Sequence, residues 1–183
     1  MSTQNLFYQS PIDIRSSQSI VSNSRGPCLS GTKTKTKYNP ERRIFEVLNN
    51  IVTYLHDVKF YLIEYHFHVP SEFYLEGKSY PSELHYVFSD LESDRAGQGI
   101  PKGNILIIAR LIENSPVKES LENLNVFLPS QYYELDGATE LAPVRWIVGR
   151  SPIAMNVETI QKVAKPARSL YPANNRIILL TTQ

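Results

Sequence analysis

Three of the four histidines of this 183-residue chain, His66, His68 and His85, crowd into one stretch. It reads Glu64-Tyr65-His66-Phe67-His68-Val69-Pro70-Ser71-Glu72 and continues through Glu83-Leu84-His85-Tyr86-Val87. An isolated His-x-His pair on an apolar strand is more often two hydrogen-bonded core or surface histidines than a metal site. The third histidine and the carboxylates around it shift the reading toward metal. Three neutral imidazoles leave one tetrahedral position of a zinc ion open, the arrangement that suits catalysis rather than structure. A metal-bound imidazole also needs an acceptor for its second ring nitrogen, which fixes the tautomer. Glu64, two residues before His66, and Glu83, two before His85, each share a strand face with their histidine.

Positioning those imidazoles requires two strands. Phe60 to Val69 is rich in β-branched and aromatic residues, and period-2 alternation puts His66 and His68 on one face, with Cα atoms ~6.5–7 Å apart. Gly77-Lys78 breaks the pattern, and Tyr80 to Phe88 reads as a second strand. A hairpin there brings His85 onto a neighbouring strand ~4.8 Å away.

The motif His-Phe-His-x-Pro-Ser-Glu, followed by Gly-Lys-x-Tyr-Pro-x-Glu-Leu-His, resembles the zinc site of the α-class carbonic anhydrases. Gln9-Ser10-Pro11-Ile12-Asp13-Ile14 matches a segment near the start of that family, and Asn174-Asn175-Arg176 a late Asn-x-Arg motif, so the resemblance spans nearly the whole chain. It implies Zn2+ on His66, His68 and His85, with Glu64 and Glu83 behind the first and third ligands. Glu72 takes the place of a glutamate that orients a threonine hydroxyl, for which Thr139 is the candidate. Val87 and Ile107 fall where the family walls its carbon dioxide pocket. The implied activity is the interconversion of carbon dioxide and bicarbonate, a lyase reaction, through water ionised by zinc. The sequence departs from the family in several places: Glu64 stands where a glutamine is usual, the tryptophan-containing N-terminal segment is missing, and the section between His56 and His66 is short. Phe73 replaces a histidine, Val52 stands where a proton-relaying histidine is usual, and the segment around Thr139 is several residues short.

The implied fold is mostly β: one twisted, largely antiparallel sheet with a few peripheral helices, forming a single domain over residues 1–183. Composition agrees. Apolar residues make up 42% and charged residues 20%, ordinary for a globular chain, while eleven tyrosines and seven phenylalanines favour strands. A net charge of +1 gives no global pull toward nucleic acid or membrane. The single Cys28 excludes an intramolecular disulfide, and the polar N-terminus lacks a secretory pattern. The expectation is therefore a cytoplasmic protein with neither a nucleic-acid nor a membrane partner.

Ser115-Pro116 looks like a helix start, with Val117, Leu121, Leu124 and Leu128 along one apolar face. Asn156 is positioned to cap a short helix through Val157 and Ile160. Asn104 to Ile112 is a buried strand. Arg176 reads as a structural anchor. Lys33, Lys35 and Lys37 alternate with threonines, as in an edge strand guarded by charge; the sharper reading is a weak polyanion site extended by Arg42 and Arg43. His56 is even-numbered like His66 and His68, so one continuous strand would carry it to their face, whereas a solvated strand end is the plainer reading.

Two rival functions remain open at this stage. One is a carbonic anhydrase-like binding or structural protein, for a polyanion or a protein partner, that keeps the zinc site with little or no activity. The other is a cupin, because His66-x-His68-x3-Glu72 also fits the start of its metal motif, although no second cupin motif follows.

Overall fold

A computed structural model describes residues 9–96, 101–138 and 143–182. Its strands in chain order are β1 (Asp13–Ile14), β2 (Ser19–Ser22), β3 (Cys28–Leu29), β4 (Thr36–Asn39), β5 (Ile44–Val47), β6 (Val52–Leu55), β7 (Val58–Val69) and β8 (Tyr74–Leu75). They continue as β9 (Ser82–Ser89), β10 (Ile105–Asn114), β11 (Gln131–Ala138), β12 (Pro143–Gly149), β13 (Ile153–Met155), β14 (Lys165–Pro166) and β15 (Ile178–Thr182). One sheet runs β2-β15-β11-β12-β10-β9-β7-β5-β4, with β6, β13 and β14 attached at its flanks and β3 beyond β6. Most pairings are antiparallel; β10–β12, β10–β13, β7–β14 and β2–β15 are parallel. A second, two-stranded parallel sheet joins β1 to β8. The chain is thus mostly β, as expected.

Alternation along the central strands divides the interior in two. Tyr65, Phe67, Leu84, Tyr86, Leu106, Ile108 and Ile147 point to one side and pack against Val157 and Ile160 of helix α1 (Val157–Gln161). Ile12, Phe73, Val87, Ile107, Trp146 and Val148 fill the other side. Asn156 caps α1 as expected, its Oδ1 accepting from Thr159 N at 2.9 Å. Arg176 is an anchor, donating to the carbonyls of Gln9 at 2.7 Å and Ala173 at 3.0 Å.

The helix expected from Ser115 onward is absent: residues 115–130 run as irregular chain. The physical reason is that side chains from the sheet take the carbonyls a helix would use internally. Tyr65 Oη donates to Leu121 O at 2.7 Å and Tyr86 Oη to Asn125 O at 2.7 Å. Arg110 Nη1 donates to Phe127 O at 2.7 Å. Main-chain bonds between Thr34 N and Leu124 O (3.2 Å) and between Val126 N and Thr32 O (2.7 Å) complete the attachment. Leu121, Leu124 and Val126 are buried, but Val117 is 65% exposed, so no continuous helical stripe is buried.

Tyr65→Phe deletes the hydroxyl on which Leu121 O depends. A buried carbonyl left without a donor costs ~1–3 kcal/mol, so urea unfolding should show a loss of that size at an unchanged m-value.

Candidate metal centre

The antiparallel register of β7 and β9 sets His66 directly opposite His85, with His68 two residues along opposite Glu83. All three imidazoles are buried, and one ring nitrogen from each lies within 4.8 Å of the others. Their ring centroids are 4.8–5.3 Å apart, and Trp146 sits 5.2 Å from His85.

Two of the histidines meet a hydrogen-bond acceptor, and this decides which nitrogen is left to face the others. His85 Nε2 lies 2.8 Å from Glu83 Oε1, leaving Nδ1. His68 Nδ1 lies 3.0 Å from the Pro166 carbonyl, leaving Nε2. His66 Nδ1 is 3.3 Å from Glu64 Oε1 but not aligned for a hydrogen bond, so that nitrogen is buried without one. Burial holds His66 well below its ordinary pKa, reinforced by the charge of Lys165 and by the other two histidines. Burial and His85 likewise bring His68 down to about 3, against the pull of Glu72. Neutral imidazoles with oriented tautomers are the form that binds a metal. The donor set therefore fits a zinc ion held by three nitrogens with a fourth position toward the cavity.

Glu83 is fully buried. Its second oxygen accepts the backbone N–H groups of Glu72 (2.7 Å) and Phe73 (2.8 Å). Glu72 is also fully buried, but its partner is one that sequence reasoning missed. Arg168 donates its backbone N and Nε to Glu72 Oε1 at 3.0 and 2.8 Å, and Nη2 to Oε2 at 2.7 Å. Burial works against the Glu72 charge, yet this fork outweighs it and brings the pKa down to about 2. No local spacing signals Arg168, which lies 96 positions downstream.

The histidines line a cavity of about 280 Å3. Val87, Ile105, Ile107, Val144 and Trp146 form its apolar wall; Arg42, Glu64, Lys165 and Arg168 form its polar wall. Val87 and Ile107, the two residues named from the sequence, both line this cavity. Thr139 lies outside the described residues. Val52 is buried in β6 opposite Tyr61 and is not part of the cavity lining. His56 is not on the ligand face. It occupies the β6–β7 turn, and the register of β7 against β9 shifts between Leu62 and Glu64. That bulge reverses which parity faces the ligands, since one extra residue flips every later side chain. His56 is part-exposed and 2.8 Å from Glu134, beside a separate cavity of about 390 Å3. Lys33, Lys35 and Lys37 are exposed near the sheet edge formed by β4. Among the described residues, no helix is long and apolar enough to cross a membrane.

No protein-family profile matches the chain. It is 27% identical over 206 residues to a carbonic anhydrase of Nostoc sp., covering 93% of this chain and 75% of that one. It is 26% identical over 142 residues to a carbonic anhydrase of Pectobacterium carotovorum, covering 66% of this chain and 58% of the relative. The fold matches the Photobacterium profundum α-carbonic anhydrase with a TM-score of 0.75 and 25% identity, over 94% of this chain and 89% of that one. In sequence and in fold the chain is thus similar to α-carbonic anhydrases. The same fold recurs at lower identity, 22%, in the Thermovibrio ammonificans α-carbonic anhydrase solved with sulfanilamide, with a TM-score of 0.71 over 97% of this chain and 91% of that one.

The two glutamates should differ in effect. In Glu83→Gln the amide NH2 must face either the imidazole or two backbone N–H groups, all of them donors. Chelator competition should then show zinc affinity falling by ~10–100-fold. Glu64→Gln, which alters a longer and misaligned contact, should fall at or below the bottom of that range.

Proposed function

We propose that this chain is a zinc-dependent carbonic anhydrase interconverting carbon dioxide and bicarbonate, with His66, His68 and His85 as the zinc ligands. The observation that carries the reading is the convergence of three buried imidazoles at a cavity with one apolar wall. Names of relatives supply the reaction; the cavity supplies a reason for it, because carbon dioxide is small and apolar and bicarbonate is an anion.

Bound by these three histidines, zinc would supply Lewis acidity able to lower the pKa of a water to about 7, the value general for carbonic anhydrase. The protein's own groups do the remainder. Glu83 fixes the tautomer of His85 and, through its other oxygen, the backbone on which Glu72 sits. Arg168 keeps Glu72 ionised and oriented as a hydrogen-bond acceptor. Thr139 is proposed as the hydroxyl that Glu72 orients. Val87, Ile107, Val144 and Trp146 exclude water from the side where carbon dioxide enters.

A second reading, a carbonic anhydrase-like protein that retains zinc but turns over little, is favoured by one observation. Val52 is apolar and buried, so it offers no group to pass protons outward.

Elemental analysis should find one zinc per chain in the wild type and far less in His85→Ala, since two histidines hold the metal much more weakly. Equal zinc in both would sink the ligand assignment. Stopped-flow hydration should be well below the ~10⁶ s⁻¹ of fast carbonic anhydrases and should rise with imidazole-type buffer. A fast, buffer-independent rate would reveal another proton path. A zinc-loaded protein with no hydration would establish the second reading.

A further inference from the structure

The cavity at the three histidines is not electrically balanced. Arg42, Lys165 and Arg168 all line it. Arg42 is matched by Glu64, Nη2 to Oε2 at 3.1 Å, and Arg168 by Glu72 at 2.7 Å. Lys165 is left over. It lies on β14, the Cα partner of His68 in a parallel pair, and its side chain is only part-exposed. The described residues supply its ammonium with neither an ion pair nor a hydrogen bond. Glu64 is the opposite charge that acts on it most, but that carboxylate is already committed to Arg42 and faces His66. A partly desolvated ammonium facing a cavity without a counter-charge is stabilised by any anion that can reach it.

We propose that Lys165 anchors a subsite for a small oxyanion beside the three-histidine centre, flanked by Arg42 and Arg168. The shape of the cavity restricts the ligand. About 280 Å3 with one wall of Val87, Ile107 and Trp146 leaves room for a few heavy atoms with charge on one edge. Formate, acetate and bicarbonate belong to that class; an ion such as sulfate, hydrated on every side, does not suit the apolar wall. The proposal deepens the carbonic anhydrase reading, on which it rests for the identity of the physiological anion, bicarbonate. In that setting Lys165 favours the anionic side of the equilibrium inside the cavity and lowers the bicarbonate concentration needed for half-saturation.

The test uses formate as the probe and the metal-free full-length chain, so that no anion is held by a metal. Amide NMR shifts at residues 66–68 and at Lys165, Ala167 and Arg168 are followed through a formate titration at constant ionic strength, with chloride as the balancing ion. The wild type should show saturable shifts at those positions. Lys165→Met should weaken the affinity by about tenfold, the loss of one charge-assisted hydrogen bond, and Lys165→Arg should restore most of it. Lys165→Gln provides a second charge-deleted variant should methionine disturb β14. Unchanged affinity in a folded charge-deleted variant, or shifts that fall elsewhere on the chain, would overturn the proposal. Zinc uptake is measured separately on the same variants. Formate binding lost from every form while zinc uptake persists overturns the subsite alone. A chain that takes up no zinc yet binds formate through Lys165 supports the subsite and overturns the zinc reading alone.

Discussion

The Glu83 carboxylate is the interaction on which the rest of the centre depends. One oxygen holds His85 and the other holds the backbone of Glu72 and Phe73, so strand β9 and the segment after β7 cannot move independently. A fully buried carboxylate is costly unless its lone pairs are occupied. Here three donors occupy them, and all three belong to the site. The desolvation cost and the positioning of the histidine are therefore offset by the same hydrogen bonds, and disturbing one disturbs the others.

Around that hub the protein builds the centre from opposites. The face of the sheet that carries the histidines also carries Trp146, Phe73 and the aliphatic wall, while charge enters from outside the sheet's main path, through β14 and the residues after it. Arg168 and Lys165 arrive on that segment. One pairs with Glu72, and the other has no ion pair or hydrogen bond among the described residues. An apolar wall and a charged wall thus meet at three buried imidazoles.

The opposite face is held by a different device. Tyr65 and Tyr86, fully buried, reach through the core with their hydroxyls to hold residues 121–125, and Arg110 holds Phe127. An aromatic ring fills the core while its oxygen binds backbone at the far side, so irregular chain is tied down as firmly as a helix would be. This replaces helical packing over much of that face, where α1 is a helix of only five residues.

Sequence alone determined much of this. Alternation on Phe60–Val69 placed His66 and His68 together, the spacing to His85 required a returning strand, and Glu64 and Glu83 were legible as same-face neighbours of their histidines. The cap at Asn156 was legible too, because an N-cap is made within four residues. Three features were decided only by tertiary structure. The segment from Ser115 has a helical pattern, but distant tyrosines and an arginine claim its carbonyls. His56 has the parity of His66 and His68, but a bulge between Leu62 and Glu64 reverses it. Arg168 and Lys165 join the centre from almost 100 residues away. The reason is common to all three: periodicity in a sequence reports which side chains share a face. Which remote charges and carbonyls that face meets depends on strand order and register.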